Sequence, residues 1–224
     1  MVNYNLNHLT QNDTQCVMGP IQDDEALFLY SIVKGMRLSR ILEIGGLSGY
    51  SAKNFLAAMD QSGPNSILYT VDVNPCPCMG HNHKTIIKNA LDLKVCDVDN
   101  KPLDMIFFDC HDLVQLDIYD KFVNENIISD NTIIALHDTN LHYPPHRVNH
   151  HESMKNIVCQ DGHYGYAHQP VERHMTNVFK SKGYDVFSLH TTPDKHNDSF
   201  PFRHGMTICK KFAPLTTDFL PCLL

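Results

Sequence analysis

Short apolar runs along the chain alternate with segments in which apolar residues recur at helical spacing. The runs predict five consecutive strands, at 40–44, 66–72, 85–88, 103–108 and 131–136. The helical patterns lie at 22–36, 50–60, 116–127 and 171–182, with a short helix beginning at Ala90. Two late runs, 184–189 and 205–211, predict a closing pair of strands. This alternation is typical of an α/β fold with a Rossmann-like doubly wound sheet, mostly parallel, with an antiparallel C-terminal edge hairpin.

The length of 224 residues fits a single domain with a large buried core. We predict that residues 1–22 form an N-terminal extension, because the first helical pattern begins only there. The segment 139–170 follows the fifth strand and is rich in histidine, and the run 142–151 within it lacks apolar periodicity. An insertion at that point lies over the ends of the strands, which predicts a lid or a substrate-binding insertion. A solvated polar loop is the alternative.

Composition excludes several classes of partner. The formal net charge is −7 and no Lys/Arg-rich block occurs, so we expect no nucleic-acid partner. No apolar run approaches the roughly 18 residues of a membrane span, and no signal peptide is recognisable, so we expect no membrane partner. The eight cysteines are scattered along the chain rather than spaced as in a disulfide framework, which fits reduced thiols in a cytoplasmic protein.

A glycine-rich turn follows the first predicted strand. Gly45, Gly46 and Gly49 come directly after the apolar residues of that strand and directly before a helical pattern. Glycines let the backbone turn tightly and approach a ligand closely, and a helix N-terminus favours anionic groups. Asp72 ends the second strand, where a carboxylate can accept hydrogen bonds from both hydroxyls of a ribose. Strand, turn, helix and acid together predict a nucleotide-binding corner, although the spacing is not that of the dinucleotide fingerprint.

The segment Glu43–Gly49 resembles the Glu-x-Gly-x-x-x-Gly motif of class I S-adenosylmethionine-dependent methyltransferases, and in particular small-molecule O-methyltransferases of the catechol type. The resemblance implies that Glu43 and the turn face the methionine end of S-adenosylmethionine and that Asp72 faces its ribose. Asn89 and Ala90 resemble a segment that lines the adenine pocket in that family; a plain helix N-cap at Asn89 is the alternative. The implied cofactor-binding residues are Glu43, Gly45, Gly46, Ser48, Gly49, Tyr50, Ser51, Asp72, Val73, Asn89, Ala90 and Asp109.

Two further strand ends resemble those of metal-assisted O-methyltransferases. By position, the resemblance implies that Asp109, His137 and Asp138 hold a divalent metal, and the His-Asp pair is most similar to the antibiotic-tailoring group. Mg²⁺ prefers oxygen ligands, so a site with an imidazole suits Mn²⁺, Fe²⁺ or Zn²⁺ better. Thr139 stands where catechol-type enzymes have a ligating asparagine. The alternative is a metal-free site in which His137 is the base.

We therefore predict an enzyme that transfers a methyl group to oxygen of a small-molecule acceptor. Methyl transfer is an in-line displacement, and the acceptor must lose a proton. A metal can lower the pKa of the acceptor by direct ligation, or a histidine can take the proton. The predicted catalytic residues are His111, His137 and Asp138, with His142 and His146 as further candidate bases. An N- or C-methyltransferase of the same fold and a cofactor-binding module without turnover remain alternatives. The resemblance also implies a homodimer.

One cluster is not explained by the resemblance. Cys76, Cys78, His81 and His83 lie within eight residues and can in principle hold zinc. The spacing is tighter than in structural zinc sites, and Pro77 stiffens the step between the two cysteines. A turn-rich surface loop is the alternative.

Overall fold

Seven strands form one sheet in the computed structural model of the chain, which describes residues 21, 23–60, 62–110, 115–139, 169–189 and 205–211. In chain order they are β1 (Arg40–Ile44), β2 (Ile67–Asp72), β3 (His83–Ile87), β4 (Met105–Phe108), β5 (Ile133–His137), β6 (Asp185–Leu189) and β7 (Met206–Lys210). Their order in the sheet is β3-β2-β1-β4-β5-β7-β6. The first five are parallel, and β7 pairs antiparallel with both β5 and β6. The predicted doubly wound sheet with an antiparallel C-terminal hairpin is confirmed.

The described helices are α1 (Asp23–Met36), α2 (Tyr50–Met59), α3 (Gln115–Asn124) and α4 (Gln169–Ser181). The predicted helix at 116–127 is wrong at its C-terminal end. Asn126 has a φ of 59°, in the left-handed region, and the backbone amides of Ile127 and Ile128 both donate to the carbonyl of Phe122. This tight end turn satisfies a carbonyl of the last helical turn and leads the two isoleucines into the core.

Alternation along the strands places two cores on the two faces of the sheet. In β4, Ile106 and Phe108 belong to one core, and Met105 and Phe107 belong to the other. Helices α1 and α2 cover the face that contains Met105 and Phe107. On that face the side-chain amide of Asn54 on α2 donates to the carbonyl of Ala26 on α1 at 2.9 Å. Because successive strand residues point to opposite faces, a residue's position fixes which helices its side chain meets.

The described residues contain no helix long and apolar enough to cross a membrane. The predicted N-terminal extension and most of the predicted insertion at 139–170 lie outside the described residues. At the edges of that insertion, Thr139 is buried directly after β5 and α4 begins at Gln169.

Candidate functional site

Three acidic or imidazole side chains share one face of the sheet at the carboxyl ends of its central strands. Glu43 lies two residues after Ile41 on β1, and Asp109 lies two residues after Phe107 on β4, so each acid shares the face of that apolar residue. Both apolar residues belong to the core under α1 and α2. His137 continues the face of Ala135 on β5. Since β1 lies between β2 and β4, the chain reverses its winding direction there, which is where ligands bind in open α/β sheets.

The turn after β1 is shaped by its contact with the end of β4. Gly45 has a φ of +97°, and its amide donates to the carbonyl of Val71 at 2.9 Å. A Cβ at Gly45 would lie 2.4 Å from the carbonyl oxygen of Asp109. Only glycine fits at this position, because both the conformation and the space exclude a side chain.

The other two glycines of the turn also make room for parts of the chain itself. A Cβ on Gly46 would lie 2.4 Å from the Thr70 methyl carbon, and one on Gly49 would lie 2.4 Å from the terminal carbon of Met79. Pro77 also lies against Gly49. The close approach predicted for these glycines is therefore an approach to β2 and to the loop after it. Contact with the cofactor stays a prediction for all three.

Asp72 braces the glycine turn from the end of β2. Its Oδ2 accepts hydrogen bonds from the backbone amides of Gly46 at 2.9 Å and Leu47 at 3.3 Å, and its Oδ1 accepts from the amide of Asn74 at 2.9 Å. An ionised carboxylate has about four acceptor positions. These three bonds give Asp72 a structural role that the sequence did not indicate. The predicted ribose contact would use the acceptor capacity of the carboxylate that remains.

Apolar side chains on both sides of Asp72 face outward. Leu47 is 70% exposed and Val73 is 64% exposed. Ser48 is exposed and Tyr50 is half-buried. A ligand bound at the turn would cover the two apolar side chains of Leu47 and Val73.

Asn89 caps the turn of 3₁₀ helix at Ala90–Asp92. Its side-chain oxygen accepts a hydrogen bond from the amide of Leu91 at 2.9 Å, and Ala90 is buried. The capping alternative at Asn89 is thus confirmed, and an adenine contact by Asn89 or Ala90 stays a prediction.

Glu43 is completely buried in a network of hydroxyl groups. Its two carboxyl oxygens accept hydrogen bonds from the hydroxyls of Ser51 and Thr70, the latter at 2.6 Å. Burial raises the pKa of Glu43 to about 8; the two hydroxyls oppose this shift, and the nearby carboxylates of Asp109 and Asp72 add to it. Ser51, predicted to bind cofactor, is buried and engaged with Glu43.

A histidine that the sequence did not connect with Glu43 extends this network. The backbone amide of Met79 donates to Nδ1 of His83 at 3.0 Å, so Nδ1 is an acceptor and Nε2 carries the proton. Nε2 lies 2.8 Å from the hydroxyl oxygen of Thr70, which in turn donates to Glu43. Burial lowers the pKa of His83, which keeps the ring neutral. The chain of bonds links the loop after β2 to the floor of the site.

The zinc interpretation of the Cys76–His83 cluster is not supported. Both ring nitrogens of His83 are used by the protein, and the thiol of Cys78 donates to the carbonyls of Gly80 and His83. Among the described residues, the only grouping of three or more potential metal ligands lies elsewhere. The segment between β2 and β3 is the turn-rich loop of the alternative, and it packs on the glycine turn.

We expect Glu43→Gln to change how stability depends on pH. The pKa of Glu43 is about 8 in the folded protein against an ordinary value of 4.5, so the folded state holds a proton that the unfolded state releases between these values. Stability of the wild type therefore falls as pH rises from about 5 to 8, with a slope of up to about 1.4 kcal/mol per pH unit from this group.

Urea unfolding of the chelator-treated protein at several pH values measures this slope. Glu43→Gln cannot ionise, so its stability relative to the wild type should improve as pH rises. Asp185→Asn, at an exposed position on β6, is the control and should run parallel to the wild type. Parallel curves for Glu43→Gln as well would contradict the raised pKa.

Asp109, His137 and Asp138 converge at the ends of β4 and β5. Each offers one ligand atom, and these atoms all lie within 4.8 Å of one another. Asp138 is buried with a φ of 57°, a left-handed conformation that is uncommon outside glycine. Two successive residues of an extended strand would point to opposite faces, and this conformation instead brings Asp138 Oδ1 within 3.7 Å of His137 Nδ1. Backbone strain of this kind is common at functional sites.

His137 lies among three carboxylates. Its Nδ1 is 2.8 Å from Oδ1 of Asp109, and its Nε2 is 3.2 Å from Oε2 of Glu25 on α1. Burial alone would lower the pKa of His137, but the charges of Asp138, Asp109 and Glu25 raise it well above its usual value. The donor set of two carboxylates and one imidazole fits Mn²⁺, Fe²⁺ or Zn²⁺. The residues present therefore fit a divalent metal.

The remaining candidate bases, His111, His142 and His146, lie outside the described residues. Thr139, for which the sequence resemblance suggested the position of a ligating asparagine, is buried and accepts a hydrogen bond from the hydroxyl of Thr207 on β7 at 2.7 Å. Thr139 thus belongs to the contact between β5 and β7.

Sequence reasoning missed Thr70 and Glu25 as residues of the site, and it assigned His83 to a zinc cluster instead. Thr70 lies opposite Glu43 in the parallel register of β1 and β2, so the strand prediction together with a correct pairing would have found it. Nothing local marks Glu25, which is 112 residues before His137 and reaches it only through the packing of α1 on the sheet.

No protein-family model matches this sequence, and no curated protein sequence matches it. Solved structures do resemble it. An SAH-bound methyltransferase of Podospora anserina, PaMTH1, has 17% identity and a TM-score of 0.58, over 88% of this chain and 81% of that one.

Two bacterial structures give the same result. The O-methyltransferase TomG of Streptomyces achromogenes, involved in tomaymycin synthesis and solved with SAM, has 14% identity and a TM-score of 0.58, over 87% of this chain and 82% of that one. An O-methyltransferase of Bacillus cereus in complex with SAH has 14% identity and a TM-score of 0.58, over 87% of this chain and 84% of that one. The chain has the fold of these methyltransferases.

Proposed function

We propose that this protein, which has the methyltransferase fold, is an S-adenosylmethionine-dependent enzyme that transfers a methyl group to oxygen of a small-molecule acceptor. We propose further that Asp109, His137 and Asp138 hold a divalent metal that assists the transfer. The observation that carries the proposal is the convergence of these three ligand groups, within 4.8 Å of one another, directly beside the glycine turn.

The two halves of the proposed site are in contact through the backbone carbonyl of Asp109. The carbonyl of Asp109 lies against Gly45, so a displacement of the proposed metal ligand would disturb the proposed cofactor turn. Methyl transfer requires donor and acceptor in line, and such positioning supplies a large part of the acceleration in bimolecular reactions. A rigid contact between the two binding elements supports that positioning.

The proposed cofactor and the proposed metal are bound by different groups of the chain. Asp72, Leu47 and Val73 are the residues that we propose for the adenosyl part, which carries the methyl group on a sulfonium. The carboxylates around the turn favour that positive charge. A divalent metal, when bound, lowers the pKa of an acceptor hydroxyl by direct ligation.

A metal-free site with His137 as the base is the second candidate, and the geometry favours it less. A base needs a ring nitrogen that faces the acceptor proton. Nδ1 and Nε2 of His137 face Asp109 and Glu25 at 2.8 and 3.2 Å. A histidine held between two carboxylates is better suited to a metal ligand than to a proton acceptor.

Calorimetric titration with S-adenosylmethionine tests the cofactor half of the proposal. We expect micromolar binding by the wild type and at least roughly tenfold weaker binding by Asp72→Ala, since the change removes the brace of the turn as well as a ribose partner. Asp117→Ala, at an exposed position on α3, is the control and should bind as the wild type does. Equal binding by Asp72→Ala would contradict the assignment of the turn.

Formation of S-adenosylhomocysteine from S-adenosylmethionine, in the presence of hydroxylated or phenolic acceptors, tests the catalytic half. We expect turnover with added Mn²⁺ and loss of turnover with chelator. Turnover that survives the chelator would favour His137 as a base. Cofactor binding without turnover on any acceptor would favour the binding module, and turnover on amines or carbon acids would favour the other methyltransferase classes.

Acceptor recognition by the insertion at 139–170, and a homodimer, stay predictions. The histidines and tyrosines of that segment supply hydrogen-bonding and aromatic groups suited to a hydroxylated acceptor. Deletion of part of the insertion should therefore raise KM for the acceptor more than the dissociation constant for S-adenosylmethionine.

A further inference from the structure

His137 presents its two ring nitrogens to different parts of the protein. Nδ1 faces the ends of the strands, 2.8 Å from Asp109 Oδ1 and 3.7 Å from Asp138 Oδ1. Nε2 faces away from them and lies 3.2 Å from Oε2 of Glu25 in the first turn of α1. Both side chains of this second contact are almost completely buried, at 2% and 1% exposure. Glu25 on α1 therefore contacts the ring on the side opposite the predicted metal ligands, and α1 itself contributes no predicted ligand.

A histidine that binds a metal uses the lone pair of one ring nitrogen, and its other nitrogen carries the proton. That second N–H is usually donated to a carboxylate or a carbonyl, which fixes both the tautomer and the orientation of the ring. In this protein the carboxylate on the far side is Glu25. We propose that Glu25 is a positioning residue for the metal site, because it holds Nε2–H of His137 so that Nδ1 faces Asp109 and Asp138.

This inference rests on the proposed function, since it assumes that the three residues bind a metal. It extends that function to a residue that neither the strand-end motifs nor the resemblance assigned. Glu25 lies in the first turn of α1, where the helix dipole favours a negative charge. Helix α1 packs on the same face of the sheet as the site, through the core that includes Ala26 and Leu29. The packing of α1 on the sheet thus sets the place of the carboxylate relative to the ring.

Mn²⁺ binding to the purified full-length protein, followed by electron paramagnetic resonance without cofactor or acceptor, tests the proposal. We expect the Mn²⁺ dissociation constant to rise about 100-fold in Glu25→Ala and about tenfold in Glu25→Gln, since the amide oxygen still accepts from Nε2–H but carries no charge. S-Adenosylmethionine affinity, measured by calorimetry, should change less than about twofold in both variants.

A second buried glutamate on a helix supplies the matched control. Glu172 on α4 is fully buried and accepts a hydrogen bond from the side-chain amide of Gln115 at 2.7 Å, on the opposite face of the sheet. Glu172→Gln should leave the Mn²⁺ dissociation constant within about twofold of the wild type. Circular dichroism confirms that each variant is folded at the temperature of the titration.

The outcomes separate this inference from the proposed function. Normal Mn²⁺ binding by Glu25→Ala, with a wild type that binds Mn²⁺, would overturn the role of Glu25 alone. An equal loss of Mn²⁺ and S-adenosylmethionine affinity would overturn it as well, since that pattern indicates general damage to the fold. A wild type that binds S-adenosylmethionine but no Mn²⁺ would overturn both the metal site and the inference built on it.

Discussion

Gly45→Ala is expected to impair cofactor binding and metal binding together and to destabilise the fold. The residue has a φ of +97°, which costs a non-glycine residue about 1–2 kcal/mol. The new Cβ would also lie 2.4 Å from the carbonyl oxygen of Asp109, and relief of such an overlap in a packed region costs about 1–3 kcal/mol more. Because Asp109 is a proposed metal ligand, its displacement should weaken Mn²⁺ binding even though Gly45 is not a ligand.

Gly63→Ala is the matched control for this experiment. Gly63 has a φ of +107°, and a Cβ built there meets nothing within 4 Å, so its substitution carries the backbone cost without the overlap. Urea unfolding should show a larger loss of stability for Gly45→Ala, and titrations with S-adenosylmethionine and Mn²⁺ should be affected only in that variant. Equal stability losses and intact binding would show that the turn does not depend on its contact with β4.

The placement of the site at the carboxyl ends of the strands was predictable from the sequence. The apolar runs gave the strands, and the alternation within them places Glu43, Asp109 and His137 on the same side. Parallel strands end at the same edge, so these side chains were expected at that edge, and the order β1-β4-β5 makes them neighbours. Local periodicity is sufficient to locate the strand ends, but the common face of the three side chains also depends on how the strands pair.

The conformation of Asp138 was not predictable in the same way. Strict alternation would have separated it from His137, and the left-handed backbone at Asp138 brings the two side chains together. Aspartate tolerates that conformation better than most residues, but nothing in the local pattern demands it. The predicted adjacency came from the resemblance rather than from the physics of the strand.

The contacts of the glycine turn could not be predicted from the sequence, for a different reason. The turn was predicted to make room for a ligand, and in the structure its glycines make room for Asp109, Thr70 and Met79. Which loop packs on which turn depends on tertiary structure, and several arrangements satisfy the same local pattern. The position of Glu25 beside His137 belongs to the same class of long-range contact.

His137→Ala is expected to be among the most destabilising single substitutions at the site. The imidazole lies within 2.8 Å of Asp109, 3.2 Å of Glu25 and 3.7 Å of Asp138, and it is 2% exposed. Its removal takes the positive charge from among three poorly solvated carboxylates and leaves their mutual repulsion. Removal of one partner from a buried ion pair typically costs about 3–5 kcal/mol. Urea unfolding of the chelator-treated protein measures this loss.

His174→Ala is the control, because that histidine is exposed on α4 and its loss should change stability by less than about 0.5 kcal/mol. Added Mn²⁺ separates the structural and the ligand roles of His137. In the wild type, saturating Mn²⁺ should raise the unfolding free energy by RT ln(1 + [Mn²⁺]/Kd), and in His137→Ala this increment should be much smaller, since one of three ligands is missing. A variant as stable as the wild type would show that the carboxylates do not depend on the imidazole. An undiminished Mn²⁺ increment would remove His137 from the proposed metal site.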